Sequence, residues 1–338
     1  MDIHTNIPLK NYTTMRLGGN ARFMTEVHTL DEVAEVCRSA KQQGLRIFIL
    51  GGGSNVIVPD SGFDGIVIRN RIPGFEITDE PGRATIKVGG GENWDDVVKR
   101  TVDMNLSGIE AMSAIPGTTG AAPVQNIGAY GQEIAETLVS VDAYDIETDS
   151  FVTLQNSDCS FSYRHSIFRG EAAGRYFITA VTFRLYKTPP QPPFYKAVQD
   201  YFDAHAITIY TPAVIRDAVI AIRTDKLPDP AILPNTGSFF KNAIIEDWQL
   251  ADLKKEYPEI PTYDLPDGRF KVPTGWLIEQ AGFKGKSLHG MHVHDKNALV
   301  LINESAKSYE DLAAARTEII GTIRDKFHII IEQEPLEM

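Results

Sequence analysis

Runs of three adjacent glycines follow two predicted strands of this 338-residue chain. One occurs in RIFILGGGSN, residues 46–55, and the other in ATIKVGGG, residues 84–91. Adjacent glycines cost conformational entropy, and a hairpin turn does not need three of them. Successive backbone amides in such a turn can form a concave nest that holds a phosphate or pyrophosphate. The sequence therefore predicts two phosphate nests, with plain glycine-rich connections between strands as the alternative.

The first turn has two further donors, because Ser54 and Asn55 follow its glycines. Its spacing matches neither GxxxxGK[ST] nor GxGxxG, which disfavours a P-loop and a dinucleotide-type Rossmann turn. An α/β unit surrounds this turn: a helix capped by Thr29 or Asp31 ends at Gly44, and the predicted strand comes next.

Composition limits the partners and the compartment of the chain. A formal net charge of -12 and a pI near 5.2 argue against nucleic acid as the main partner. No run of about 18 apolar residues and no signal-peptide pattern occurs, so we expect a cytoplasmic protein that does not enter a membrane. Cys37 and Cys159 lie far apart in the sequence, which predicts reduced thiols without a disulfide.

A third glycine-rich stretch, IPGTTGAAPVQNIGAYG at residues 115–131, has neither helical nor strand periodicity. A 17-residue irregular segment in a compact domain is either functional or disordered. Alanine, valine and isoleucine among the glycines favour an ordered, partly buried loop that lines a ligand.

TMRLGG at residues 14–19, LGGGSN at residues 50–55 and the stretch 115–131 together resemble the UDP-N-acetylenolpyruvoylglucosamine reductase family over nearly the whole chain. The resemblance implies an α/β (α+β) fold with FAD bound in the manner of the vanillyl-alcohol-oxidase (PCMH) type. Two α/β subdomains would hold the flavin, and a third, α+β domain would bind the substrate. The expected boundaries are 1–70 with 326–338, 71–190, and 191–325, and the proline-rich stretch 189–193 marks the last of them as a stiff linker.

The resemblance also implies the ligands of these loops. FAD would be noncovalent, because no histidine occurs in the triple-glycine turns or in residues 115–131, and NADPH would be the co-substrate. The expected cofactor-binding residues are Gly51, Gly52, Gly53, Ser54, Asn55, Ile115, Pro116, Gly117, Thr118, Gly120, Ala121, Gln125, Asn126, Ile127, Gly128, Ala129 and Tyr130.

Three residues are expected to be catalytic. Arg164 lies in a Tyr-Arg-x-Ser motif, and the resemblance assigns it to the substrate carboxylate, where a guanidinium can stabilise negative charge. Ser238, in NTGSFFKN, has no G-x-S-x-G elbow and no histidine nearby in sequence, which disfavours a hydrolase nucleophile; the resemblance makes it the proton donor. Glu334 would be the catalytic carboxylate at the end of a predicted strand over residues 329–334, with Glu332 on the same side.

Four further residues match substrate contacts of the family. They are Tyr195, Lys226, Asn242 and Gln280. His289, His292 and His294 cluster in LHGMHVH, but few carboxylates or thiols occur at ligand spacing, so we expect no metal and interpret the cluster as surface or substrate-gating histidines.

The expected function is NADPH-dependent, FAD-mediated reduction of UDP-N-acetylglucosamine enolpyruvate to UDP-N-acetylmuramate, a cytoplasmic step of peptidoglycan precursor synthesis, by a monomer. Two alternatives stay open. An alcohol or sugar oxidase on the same fold would be reoxidised rapidly by oxygen without using NADPH, and a nonenzymatic sugar-nucleotide binding protein would be colourless when purified.

Overall fold

The computed structural model describes all 338 residues, which form two compact units. Unit 1 consists of residues 1–7, 21–53 and 63–224, and unit 2 of residues 8–20, 54–62 and 225–338. The finer division into three domains stays a prediction. None of the helices combines the length and the hydropathy that a membrane-spanning helix needs.

Most strands are short. In chain order they are β1 (His4–Pro8), β2 (Asn20–Val27), β3 (Arg46–Leu50), β4 (Val56–Ile57), β5 (Phe63–Asn70), β6 (Phe75–Glu80), β7 (Arg83–Gly89), β8 (Gly128–Ala129), β9 (Gln132–Glu133), β10 (Leu138–Asp145), β11 (Ser150–Gln155), β12 (Tyr176–Tyr186), β13 (Ala243–Ile245), β14 (Tyr263–Asp264), β15 (Phe270–Val272), β16 (Ser287–Leu288), β17 (Met291–Val293), β18 (Leu301–Asn303) and β19 (Leu336–Glu337).

Seven α-helices accompany them. They are α1 (Leu30–Gln42), α2 (Trp94–Asp103), α3 (Lys196–Ala204), α4 (Pro212–Lys226), α5 (Asp247–Glu256), α6 (Thr274–Gln280) and α7 (Tyr309–Phe327).

Unit 1 contains a sheet of order β1-β2-β5-β3, in which β5 pairs in parallel with both β2 and β3. Helix α1 begins after Thr29, which forms a reciprocal capping box with Glu32. Its apolar face, which includes Val33, Val36 and Cys37, is buried in the core with residues of β5. The predicted helix and strand on the N-terminal side of the first glycine turn are therefore confirmed.

A second sheet of unit 1 is antiparallel, with the order β11-β10-β12-β7-β6. Its core contains Trp94 of α2 packed edge-to-face on Phe183 of β12, with ring centroids 5.8 Å apart. The Trp94 indole N–H donates to the carbonyl of Met112 at 3.0 Å. Helices α3 and α4 form a separate apolar cluster in the same unit.

The amides of the second triple-glycine turn are all used by the fold. Gly89, Gly90 and Gly91 donate to the carbonyls of Gly74, Thr179 and Ile72 at 2.8, 2.7 and 2.9 Å. A phosphate nest needs amides that point at the ligand. The prediction of a phosphate site at residues 89–91 is therefore wrong, and these glycines serve close packing of the backbone.

Unit 2 packs around α7. The spacing of Ser308 and Asp311 predicts a capping box at the start of this helix, and the structure has it. Two three-stranded sheets, β13-β15-β14 and β16-β17-β18, belong to this unit, together with the parallel pair β4 and β19. Phe239 and Phe240 are fully buried in its core with the apolar face of α7.

Two strand predictions in unit 2 need correction. The segment over residues 329–334 is not a regular strand, because its only bridge joins Gln333 to Phe240 and that partner segment is itself irregular. Glu332 is exposed while Glu334 is half-buried, so the two do not share one environment. The apolar run ALVLIN at residues 298–303 also predicts a strand, but only Leu301–Asn303 form one.

Alanine at Gly91 tests the packing role of the second turn. A Cβ there would lie 2.3 Å from the backbone carbonyl carbon of Arg71, so Gly91→Ala should lower the free energy of unfolding by about 2 kcal/mol or more. Gly321→Ala in α7 is the control, because no atom lies within 4 Å of its new methyl group; it should raise stability by about 0.5–1 kcal/mol. Urea denaturation of both variants measures this, and equal effects would contradict the packing account.

Candidate functional site

The first triple-glycine turn approaches residues 117–121 within unit 1. A Cβ on Gly51 would lie 2.5 Å from Thr118 Oγ1, and a Cβ on Gly52 would lie 2.9 Å from the Cα of Gly117. Gly117 has φ +137° and Gly53 has φ +67°, which side chains disfavour. Glycine is thus required here by close approach and by backbone conformation.

Unlike the second turn, this turn keeps its amides available. The backbone N–H groups of Gly51, Gly52 and Gly53 donate to no acceptor within the protein. The hydroxyl of Thr118 beside them is buried and also has no hydrogen-bond partner. Buried polar groups are normally paired, so a site that leaves several donors unpaired fits an anionic ligand.

Residues 115–131 form an ordered loop, as predicted. It contains a 3-10 helix over Thr119–Gln125 and the hairpin of β8 and β9. The hairpin turn has Tyr130 at φ +48° and Gly131 at φ +87°. The loop is irregular in sequence because its structure is made of short 3-10 and hairpin segments.

Polar side chains connect this loop to the turn that contains the Tyr-Arg-x-Ser motif. Asn126 is 1% exposed, and its amide donates to Glu133 Oε2 at 2.8 Å and to the carbonyl of Ser162 at 3.1 Å. The fully buried Ser166 donates to the carbonyl of Val124 at 2.6 Å. The side chain of Asn126 therefore serves the loop itself, and its backbone amide donates to the carbonyl of Pro123 at 3.2 Å.

Arg164 belongs to that turn and is half-buried. Its Nη2 donates to the carbonyl of Gly128 at 3.0 Å, and its guanidinium carbon lies 5.2 Å from the Tyr163 ring centroid. Its φ is +53°. A non-glycine residue in this region is strained, and such residues concentrate at functional sites.

Sequence reasoning missed the ion pair of Asp95 and Arg216 that stands behind the loop. Arg216 donates to both carboxylate oxygens of Asp95 at 2.6 and 2.9 Å, and the amide of Ala114 donates to Asp95 at 2.6 Å. Burial by itself would raise the pKa of Asp95, but these hydrogen bonds outweigh it and hold the pKa below its usual value. The pair fixes the start of the loop, and only the acidic first turn of α2 hinted at it.

Tyr195 lies just before α3 and packs edge-to-face on Tyr130, with ring centroids 5.8 Å apart. Its side chain is 47% exposed. The structure thus brings a predicted substrate residue into contact with the predicted flavin loop, inside unit 1.

Ser238, in unit 2, is half-buried in an extended segment that forms a bridge with Val300. The next residue, Phe239, is fully buried and donates its amide to the carbonyl of Leu299 at 2.7 Å. The buried phenylalanines anchor the backbone, and this anchoring fixes the position of the serine.

Asn235 is a second residue that sequence reasoning missed. It is 2% exposed, donates to the carbonyl of Pro228 at 3.2 Å and accepts the amide of Gly237 at 2.7 Å. It therefore ties the turn that follows Lys226 to the segment that carries Ser238. The Asn-x-Gly spacing, typical of an Asx turn, was the available signal.

The other predicted substrate residues of unit 2 lie at the end of a helix or bond to the start of one. Asn242 accepts the amide of Thr274, the first residue of α6, at 3.1 Å. Gln280 is the exposed last residue of α6, and Lys226 is the last residue of α4.

Glu334 is connected directly to the serine segment. Its amide donates to the carbonyl of Phe239 at 2.8 Å, and the amide of Lys241 donates to the carbonyl of Glu332 at 2.9 Å. Two of the three predicted catalytic residues, Ser238 and Glu334, are thus on paired segments of unit 2, whereas Arg164 belongs to unit 1.

The clustered histidines each have their own partners. His289 bonds Glu318 at 2.8 Å, and His292 bonds Ser287 at 3.0 Å. His294 accepts two backbone amides through Nδ1, and burial lowers its pKa. No group of three or more histidine, cysteine or acidic side chains lies where it could hold a metal ion.

Comparison with known proteins decides the family. Residues 21–154 match the FAD binding domain family, and residues 229–337 match the C-terminal domain of UDP-N-acetylenolpyruvoylglucosamine reductase. The chain is 40% identical over 340 residues to the UDP-N-acetylenolpyruvoylglucosamine reductase of Dechloromonas aromatica, which spans 99% of both proteins. The chain belongs to the UDP-N-acetylenolpyruvoylglucosamine reductase family.

Two further comparisons agree with this. The UDP-N-acetylenolpyruvoylglucosamine reductase of Ralstonia nicotianae is 40% identical over 333 residues, 97% of each protein. The crystal structure of the reductase MurB from Thermus caldophilus superposes with a TM-score of 0.68 at 22% identity, covering 100% of this chain and 99% of that one. The predicted fold class, a mixed α/β FAD-binding domain with the family's C-terminal domain, is confirmed.

The residues present fit the FAD that a domain of this family binds. Gly51 and Gly52 leave no room for side chains, their amides have no acceptor in the protein, and the Thr118 hydroxyl is an unpaired buried donor. This donor set suits the diphosphate of a dinucleotide. The boundary between the two units falls inside the turn, after Gly53.

Asp95→Asn tests whether the ion pair supports the loop. The change preserves the shape of the side chain but leaves Arg216, whose side chain is 11% exposed, without its counter-charge. The free energy of unfolding should therefore fall by about 2 kcal/mol. This is less than the roughly 3–5 kcal/mol lost when a fully buried pair is broken, because Asp95 is partly exposed. Asp103→Asn, on the same helix, removes an exposed pair with Lys99 and should cost no more than about 1 kcal/mol. Chemical denaturation compares them, and equal losses would show that the pair of Asp95 and Arg216 contributes no more than an exposed pair.

Proposed function

We propose that this chain catalyses the NADPH-dependent, FAD-mediated reduction of UDP-N-acetylglucosamine enolpyruvate to UDP-N-acetylmuramate in peptidoglycan precursor synthesis. The observation that carries the proposal is the 40% identity to a reductase of this name across nearly the full length of both chains. The unpaired amides of residues 51–53 support the cofactor part independently. The expected cytoplasmic location and the monomeric state belong to the same proposal.

FAD would bind without a covalent bond. The amides of residues 51–55 would hold its diphosphate, and the residues from Ile115 to Tyr130 named above would line the flavin. Bound FAD would supply hydride transfer between NADPH and the enol ether of the substrate. The work left to the chain is to orient both ligands and to move one proton.

Arg164 would bind the carboxylate of the enolpyruvyl group. Charge that develops next to the reduced carbon spreads into this carboxylate, and a planar guanidinium can stabilise it through two parallel hydrogen bonds. The bond from Arg164 to the carbonyl of Gly128 supports the assignment, because it holds the side chain against the flavin loop.

Ser238 would donate the proton that completes the reduction. A neutral serine is a weak acid, so the transfer depends on a strongly basic carbanionic carbon. Glu334 would stabilise the enol form of the intermediate from the neighbouring segment. Their support is the backbone pairing of the two segments, which keeps both residues at fixed positions.

Tyr195, Lys226, Asn242 and Gln280 would bind the remainder of the substrate. Lys226 fits a phosphate contact, since it ends α4 with a mobile cationic side chain. Asn242 has its side-chain carbonyl bound to the first turn of α6, which sets the direction of its amide group.

The first test concerns the cofactor. The purified protein should carry roughly one FAD per chain, released by acid or heat, because nest amides bind without a covalent tether. Gly52→Ala should lose most of this FAD while its circular dichroism stays native. The new methyl group would lie 2.9 Å from the Cα of Gly117, so the turn must shift and its amides would no longer point at the diphosphate. Gly321→Ala should keep it. Flavin that stays attached after denaturation, or full occupancy in Gly52→Ala, would refute this part.

Ser238→Ala tests the catalytic assignment. Bleaching of the flavin absorbance by NADPH should stay within about twofold of wild type, whereas its return on adding enolpyruvyl substrate should slow by about 10² to 10⁴-fold, the usual contribution of general acid catalysis. Anaerobic stopped-flow absorbance separates these steps. Ser287→Ala, which removes an exposed hydroxyl in the same unit, should change neither. Equal slowing of both steps by Ser238→Ala would indicate a structural role, and no slowing would remove Ser238 from the chemistry.

A further inference from the structure

The C-terminal residues 332–338 form a tail that lies between two other segments of unit 2. On one side, the backbone amide of Glu334 donates to the carbonyl of Phe239, and the backbone carbonyl of Glu332 accepts the amide of Lys241. On the other side, β19 pairs in parallel with β4, and the amide of Leu336 donates to the carbonyl of Asn55 at 3.0 Å.

Two side chains of α7, Tyr309 and Arg316, form hydrogen bonds with this tail. Arg316 donates through Nη1 to Glu337 Oε2 at 3.0 Å and to the Gln333 side-chain oxygen, and through Nη2 to the hydroxyl of Tyr309 at 3.2 Å. The Tyr309 hydroxyl donates in turn to Glu337 Oε1 at 2.7 Å. Arg316 thus contacts the residues on both sides of Glu334 and Pro335.

The group is well placed to act as a rigid support. The Arg316 side chain is only 20% exposed. Burial by itself would raise the pKa of Glu337, but the hydrogen bonds from Tyr309 and Arg316 outweigh it and lower the pKa. A guanidinium with several donors in one plane fixes geometry better than an ammonium does.

Asp60 stabilises the N-terminus of α7, the helix that carries Tyr309 and Arg316. Asp60 accepts the amides of Tyr309 and Glu310 at 2.8 and 3.3 Å. A carboxylate at a helix N-terminus is favourable because it meets unpaired amides and the positive end of the helix dipole. Tyr309 is therefore fixed through its backbone as well as through its hydroxyl.

We propose that Arg316 is a positioning residue, which together with Tyr309 and Glu337 holds the C-terminal tail so that Glu334 stays in register with the segment that carries Ser238. The proposal rests on the proposed function of Glu334. Arg316 itself does not touch the substrate; it acts through the tail.

A double-mutant cycle tests the proposal. Arg316→Met should slow the return of flavin absorbance with enolpyruvyl substrate by about 10 to 100-fold, the order expected from a small misplacement of a catalytic group. FAD content and NADPH bleaching should stay within about twofold. Arg316→Lys should recover part of the rate. In a Glu334→Gln background, Arg316→Met should have almost no further effect, because the group it positions is already gone.

Two controls separate a positioning role from general destabilisation. Arg324→Met, eight residues later on the same helix, removes an exposed ion pair with Asp325 and should be silent. Glu337→Gln weakens the bonds to Arg316 and Tyr309 from the tail side, and it should slow the substrate step as Arg316→Met does. It therefore tests the proposal even if Arg316→Met folds poorly. In Arg316→Met and Glu337→Gln, the amide hydrogens of the tail should exchange faster than in wild type, whereas the exchange rates of the amides in α5 and α6 should stay unchanged.

The outcomes distinguish the two levels of the argument. If Glu334→Gln alone leaves the substrate step unchanged, the proposed role of Glu334 fails and the positioning proposal fails with it. If Glu334→Gln slows that step but Arg316→Met and Glu337→Gln do not, or if their effects simply multiply, only the positioning role of Arg316 is overturned.

Discussion

The structure depends on how its backbone amides are shared between the fold and the site. The amides of Gly89, Gly90 and Gly91 donate to carbonyls of neighbouring segments, which brings these backbone segments of unit 1 close together. The amides of residues 51–53 have no such acceptors. Gly51 is half-buried, Gly52 is exposed and Gly53 is buried, so these amides can donate to a ligand without breaking a bond of the fold. The same composition thus serves packing in one turn and leaves amide donors without a protein acceptor in the other.

Each unit holds its own predicted site residues in place by hydrogen bonds. In unit 1, Asn126 and Ser166 connect the loop over residues 115–131 to the turn of Arg164, and the pair of Asp95 and Arg216 holds the start of that loop. In unit 2, the tail with Glu334 pairs with the segment after Ser238. Catalytic geometry requires such supports, since small misplacements of a catalytic group reduce the rate by large factors.

Local signals in the sequence were reliable, and distant ones were not. The capping box of α7 was predicted because Ser308 and Asp311 lie three residues apart, and Thr29 was one of the two caps expected for α1. The two glycine runs could not be told apart, because the acceptors at Gly74 and Thr179 come from elsewhere in the chain. Asp95 and Arg216 are likewise 121 residues apart. The period-two pattern of residues 329–334 predicted a strand, but its partner segment is too irregular to form a sheet. The site residues themselves came from family motifs.

The central claim is that electrons from NADPH reach an enolpyruvyl sugar nucleotide through a flavin held by this chain. Anaerobic sequential mixing tests it most directly, with absorbance and product mass as readouts. NADPH should bleach the flavin, and UDP-N-acetylglucosamine enolpyruvate should then restore the absorbance while gaining two hydrogens. Purified protein that neither carries nor binds FAD, or bleached flavin whose absorbance returns with oxygen but not with the enolpyruvyl substrate, would contradict the account.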